Sequence, residues 1–177
     1  MRIISGSLKG RILADPKSHR THPMSEKIRG ALFNVLGDLS GLTVLDAFTG
    51  SGAIAIEAVS RGAQSVMAID NDLDAYKCAY GNVQLLNITD KVEVLRTNVK
   101  SWSNNNISKQ YDIVIADAPF DTVNDALLEK VGRHVTSGGL YVLSIPTDYK
   151  ARKNNDFTLI SEKNHGNATL AFYRRNI

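Results

Sequence analysis

From residue 43 onward the chain alternates short β-branched apolar runs with longer stretches of helical periodicity, and this restricts its fold more than any other feature. The runs TVLDAF, SVMAID, KVEVLR, YDIVIAD and GLYVLSI are separated by helical patterns over about 53–61, 73–86 and 124–134. Strands and helices repeated in this way build right-handed crossover units around a parallel sheet covered on both faces. The last two runs, FTLISEK and ATLAFYRR, flank the polar NHGN and suit an antiparallel hairpin at a sheet edge. The expected fold is α/β and Rossmann-like, with a mainly parallel seven-stranded sheet, and ligands are expected at the carboxyl ends of its strands. Asn104, Asn105 and Asn106 read as a polar loop.

Four strand ends carry residues with chemical potential. In LDAFTGSGAIAIEA, Asp46 closes a strand, and Thr49, Gly50, Ser51 and Gly52 turn into a helix, where glycines let a ligand approach the backbone. A dinucleotide fingerprint would have its third glycine where Ala55 stands. A strand-ending acid four residues before the first glycine fits an S-adenosylmethionine site better, with Asp46 taking the ammonium of the methionine moiety directly or through water. Asp70 ends the next strand 20 residues beyond Gly50, where an acid can take both ribose hydroxyls of an adenosine with Asn71 assisting. Asn98 and Val99 follow a third strand and suit an adenine edge. At the fourth, Asp117 and the Ala118 carbonyl can each accept an N–H of an exocyclic aromatic amine, aiming its lone pair at a sulfonium methyl. Phe120 can stack on the base and Pro119 stiffens the turn. No metal is required, and the base must leave its stack to enter.

Charge adds a partner. The net charge is only +3, yet residues 1–29 hold seven Lys and Arg against Asp15 and Glu26. RIISGSLKGRIL reads as a hairpin around Gly6-Ser7, and ADPKSHRTHP as a proline-bounded linker. Ser25 caps a following helix that presents Ile28, Leu32, Val35, Leu36 and Leu39 to the body. Arg2, Lys9, Arg11, Arg20, Lys27 and Arg29 are the candidate contacts to nucleic-acid phosphates. Residues 1–24 thus form a basic hairpin and linker, and residues 25–177 the main domain. Single Cys78 leaves no disulfide framework, and the sequence has no signal peptide and no run of 18 apolar residues, so a cytoplasmic protein without membrane association is expected. His19 and His22 lack metal-ligand spacing, and Trp102 and Tyr111 read as packing residues.

RIISGSLKGRIL, MSEKIRGALFNVL, LDAFTGSGAIAIEAVSRGA and DAPF, in this order, resemble the bacterial RsmD family over nearly the whole chain. That family methylates guanine N2 of 16S ribosomal RNA with S-adenosylmethionine. The resemblance implies a class I methyltransferase fold, RNA contact by the N-terminal hairpin, and a D-P-P-Y/F group that holds the target amine. Here Ala118 stands where proline is usual, so looser positioning without loss of activity is expected; Asn98 stands where an acid is often found, and THPM replaces R-P-T. A monomer acting on 16S ribosomal RNA, naked or in an assembling 30S particle, is the expectation. Alternatives are DNA adenine-N6 methylation, a catalytically silent RNA-binding assembly module, and a nicotinamide oxidoreductase. The last shares the ribose acid and leaves the Asp117 group unexplained.

Overall fold

The computed structural model describes residues 1–16 and 23–177. Arg20, His19 and His22, with the middle of the linker, lie outside the described residues. The elements follow as α1 (Glu26–Leu36), β1 (Thr43–Asp46), α2 (Ala53–Ser60), β2 (Ser65–Asp70), α3 (Leu73–Leu85), β3 (Val92–Arg96), α4 (Val99–Asn105), β4 (Tyr111–Ala116), α5 (Asp125–Gly132), β5 (Val135–Pro146), β6 (Phe157–His165) and β7 (Ala168–Arg175). One seven-stranded sheet runs in the order β3-β2-β1-β4-β5-β7-β6, with β1 to β5 parallel and β7 antiparallel between β5 and β6. The chain winds outward from β1 to β3 and then returns to place β4 on the other side of β1. That reversal opens a crevice above β1 and β4, the place where such sheets bind ligands. Among the described residues no helix is long and apolar enough to cross a membrane.

The period-two alternation of the strands divides the core. Val44, Ala68, Ile113, Ile115 and Val142 face a cluster with Leu32, Phe33, Ile56 and Val83 of α1, α2 and α3. Leu45, Met67, Ile69, Val114 and Leu143 face one with Trp102, Leu127 and Val131 of α4 and α5. Helix α1 begins as expected, with the Ser25 side chain accepting from the Ile28 N–H at 3.2 Å. It stops at Leu36, where Gly37 at φ 75° ends it, so buried Leu39 lies beyond the helix. Helix α4 departs from the expected loop, because Asn104 and Asn105 form its last turn. Asn98 caps it, accepting from Lys100 N–H at 2.9 Å, and buried Trp102 packs against the His134 ring at 4.7 Å. Tertiary packing of that kind outweighs weak helix propensity. Strand β5 also starts earlier than GLYVLSI suggests, since Val135 already pairs with Tyr111 before an irregularity in the ladder.

The N-terminal hairpin forms around Gly6-Ser7 with a single ladder pair, Arg2 and Ile12. Ile3 N–H donates to Arg11 O at 2.9 Å and Leu13 N–H to Met1 O at 2.8 Å. Ile3 and Leu13 then insert fully into the α1 and α2 side of the core, each contributing roughly 1.5–3 kcal/mol. The turn presses on α2: Ser7 N–H donates to Ser60 O at 2.8 Å, and a side chain on Gly6 would put its Cβ 1.7 Å from that carbonyl oxygen. Gly6 also has φ 83°, a conformation costly for other residues. Gly6→Ala is therefore expected to cost about 2 kcal/mol or more, lowering the thermal midpoint by roughly 4–8 °C in a calorimetric comparison.

Candidate active site

The carboxyl ends of β1, β2, β3 and β4 and residues of the N-terminal segment surround a cleft of about 1260 Å³. Its floor is the turn after β1. Ala47 N–H donates to Ile115 O at 3.0 Å and Thr49 N–H to Ile69 O at 2.9 Å, which pins this turn across β4 and β2. Gly50 has φ 55° and Gly52 φ 81°, so two left-handed residues carry the chain into α2. Gly50 has open space where a Cβ would stand, and its N–H donates to Asp70 Oδ2 at 2.9 Å. The turn thus presents backbone to the cleft. Gly52 has no such room, because the Ala79 Cβ would lie 3.3 Å away.

Asp70 and Asn71 line the cleft at the end of β2. The second Asp70 oxygen accepts from Asp72 N–H at 3.0 Å, and burial raises the carboxyl above its ordinary value. Each oxygen keeps a further lone pair for a hydroxyl. Asn98 and Val99 also line it, but the Asn98 carbonyl oxygen is already committed to capping α4. Asn98 therefore offers mainly its amide N–H₂ to an adenine.

Asp46, expected to reach an ammonium group directly or through water, lies deeper than the other strand-end acids. It is fully buried behind the wall formed by Ala47 to Ser51 instead of lining the cleft, so direct contact with a ligand is not what this geometry offers. Thr49 Oγ1 donates to its Oδ2 at 2.7 Å, while Oδ1 is buried without a partner among the described residues. Loss of water pushes its pKa up to about 7; the Thr49 hydroxyl works against that rise, and the charges of Asp117 and Asp70 add to it.

Asp117, Ala118, Pro119 and Phe120 come together on the rim beyond β4. Desolvation lifts Asp117 to about 6, with the Ser144 hydroxyl of β5 pulling the other way. Ala118 is buried, and its carbonyl accepts no hydrogen bond among the described residues, whereas the Pro119 carbonyl is taken by Thr122 N–H at 2.9 Å. Phe120 leaves 38% of its surface to solvent. A carboxylate, an open carbonyl and an exposed ring thus share one turn. Ser144 was not evident beforehand; the signal was a hydroxyl inside an otherwise apolar strand, one residue past Leu143, which pairs with Ala116.

Of the basic residues, Arg2, Lys9, Arg11 and Lys27 are exposed. Arg29 is not. It is fully buried, its Nε lies 3.8 Å from Glu57 Oε2, and its Nη2 donates to Arg2 O, so it secures the hairpin and cannot meet a phosphate. Glu57 is itself buried, and accepts from Ile4 N–H at 2.8 Å, Ser5 N–H at 3.0 Å and Arg61 Nε at 2.9 Å. Its signal in the sequence was an acid in the middle of AIAIEAVS. Trp102 and Tyr111 pack with ring centroids 6.4 Å apart, as expected of core residues.

Residues 1–174 match the family described as Conserved hypothetical protein 95. Ribosomal RNA small subunit methyltransferase D of Escherichia coli K12 is 30% identical over 182 residues, covering 99% of this chain and 90% of that one. The protein of that name from Buchnera aphidicola of Acyrthosiphon pisum is 35% identical over 119 residues, covering 67% of this chain. The match spans 62% of that relative, less than two thirds of its length. The structure of yhhF from Escherichia coli superposes with a TM-score of 0.87 at 25% identity, covering 99% of this chain and 98% of that one.

Proposed function

The chain belongs to the family described as Conserved hypothetical protein 95, the RsmD family, and from that membership we propose an S-adenosylmethionine-dependent methyltransferase acting on the exocyclic N2 amine of a guanine in 16S ribosomal RNA. The observation that carries this reading is the Asp117 to Phe120 turn on the rim of an acid-lined cleft. Among the described residues, Asp70, Asp72, Asp117 and Asp121 line that cleft against Lys100 and the buried Arg29. Such a balance suits a cationic donor and disfavours the pyrophosphate of a nicotinamide dinucleotide. The open space over Gly50, the Asp70 carboxylate and the Asp46 Oδ1, which has no partner among the described residues, fit a ligand with ribose hydroxyls and an ammonium group, the latter reached through water.

S-adenosylmethionine supplies a methyl group on a positively charged sulfur. The chain's own residues prepare the acceptor. Ionised Asp117 accepts one N–H of the guanine amine and the Ala118 carbonyl accepts the other, which draws the nitrogen from its planar, delocalised state toward a directed lone pair. Phe120 stacks on the splayed-out base, and Pro119, its carbonyl held by Thr122, keeps the turn from adapting. Comparing methylated guanines in 16S ribosomal RNA from cells with and without the protein tests the reading. One position should lose its methyl group, and an identical map would refute the substrate. Thermal-shift titrations with S-adenosylhomocysteine and NADH test the cofactor, with stabilisation expected from the first alone.

Exposed Arg2, Lys9, Arg11 and Lys27 are proposed to hold the RNA backbone. Lys9→Glu combined with Arg11→Glu should lower RNA affinity at least about tenfold near 0.1 M salt and reduce the slope of log affinity against log salt by about 1–2. An unaltered slope would exonerate the hairpin.

A further inference from the structure

One buried side chain joins the hairpin segment to the turn at the floor of the cleft. Asn82, on α3, is 2% exposed. Its Oδ1 accepts from Ala14 N–H at 2.9 Å, and its Nδ2 donates to Ala14 O at 3.0 Å and to Ser51 O at 2.9 Å. Pairing with both backbone groups of Ala14 fixes which way the amide points, because a flipped amide would set donor against donor and acceptor against acceptor. Ala14 ends the segment that carries Arg2, Lys9 and Arg11. Ser51 sits between the two left-handed glycines of the turn, beside the Gly50 N–H that Asp70 holds. A second contact runs in parallel, from Ser51 Oγ to Met1 Sδ at 3.6 Å, and Met1 and Pro16 are themselves part of the cleft wall.

The network has a thermodynamic consequence. A group that bonds two segments at once stabilises each only while the other is in place, so ordering one lowers the cost of ordering the other. We propose that Asn82 is a positioning residue that couples the donor-binding turn to the N-terminal segment, so that occupancy of the cleft tightens residues 1–16 and RNA held by those residues tightens the donor. This rests on the cofactor reading above. Reciprocity requires the two effects to be equal in free energy.

Hydrogen exchange on the full chain, with and without saturating S-adenosylhomocysteine, tests this without needing the RNA. Ile3 and Leu13 report on the segment, since neither amide bonds to Asn82, and Phe172 of β7 reports overall stabilisation. In the wild type the ligand should slow Ile3 and Leu13 at least about fivefold more than Phe172. In Asn82→Ala the ligand should still bind, and this excess should fall below about twofold. Asn82→Asp should behave like the alanine variant, because a carboxylate keeps the acceptor for Ala14 N–H and loses the donor that Ser51 O and Ala14 O need. Wild-type exchange without the excess, or an excess that survives in either variant, overturns the coupling. Should the alanine variant not fold, Asn82→Asp decides, since it keeps the acceptor for Ala14 N–H and loses only the donor. Failure of S-adenosylhomocysteine to bind the wild type would remove the cofactor reading and the coupling with it.

Discussion

Asp117→Ala is expected to lower the rate of methyl transfer by about 10²–10⁴-fold while leaving the dissociation constant of S-adenosylhomocysteine within about threefold. The side chain aligns the acceptor and contributes an ionised hydrogen-bond acceptor, and alanine does neither. Little unfolding should accompany the loss, because the substitution removes a carboxylate that its surroundings already desolvate. The same residue sets an acid limb. With its pKa raised to about 6, Asp117 becomes protonated as the pH falls through that value, and log kcat should then decline with a slope near one. Asp117→Asn should abolish the limb and lower the rate less than alanine does, since the amide keeps one oxygen acceptor for the amine and loses the charge. Single-turnover assays across pH 5 to 8 measure both effects, and unchanged turnover in the alanine variant would take Asp117 out of the reaction.

Glu57→Ala should produce the largest loss of stability, about 3–5 kcal/mol, or a midpoint lower by roughly 10 °C. Two backbone donors, Ile4 N–H and Ser5 N–H, lose their acceptor, and the Arg29 cation remains in the core without the carboxylate that stood 3.8 Å from it. Burial already lowers the Arg29 pKa, an effect that Glu57 offsets. Adding Arg29→Met to the Glu57 variant should restore part of the loss, because the orphaned charge is then gone. Urea unfolding of the two single variants and the double variant measures this, and a loss below about 1 kcal/mol in Glu57→Ala would show that the hairpin is held mainly by Ile3 and Leu13.

Strand ends were legible because a buried parallel strand has nowhere to put an acid except where it leaves the sheet. Asp70 and the Asp117 turn follow from that logic, and so does the glycine turn between β1 and α2. Arg29 was misread for the opposite reason. Its neighbours in sequence show a basic run, while its environment comes from Glu57 on another helix, and nothing in the local spacing of α1 reveals the pairing. Asp46 shows the limit in another form: the sequence places it at a strand end but not whether it lies before or behind the turn that covers it. Helix α4 was missed because its stability resides in Trp102 and the Asn98 cap, two positions in a stretch of poor helix formers. Asn82 lies in an ordinary helical pattern, and only the chain returning past it at Ala14 and Ser51 gives it partners.

The enclosed carboxyl behind the turn ties folding to acidity. Because the pKa of Asp46 rises on folding from its ordinary carboxylate value to about 7, the folded chain takes up a proton that the unfolded chain releases. Its stabilising share is complete below pH 4 and is lost as the pH climbs through 7, so the ligand-free protein should tolerate heat better at pH 5.5 than at pH 7.5. A ligand bringing positive charge to the far side of the turn would favour the ionised form and narrow that gap. The sheet thus sets aside part of its own cohesion at neutral pH, to be recovered when the cleft is filled.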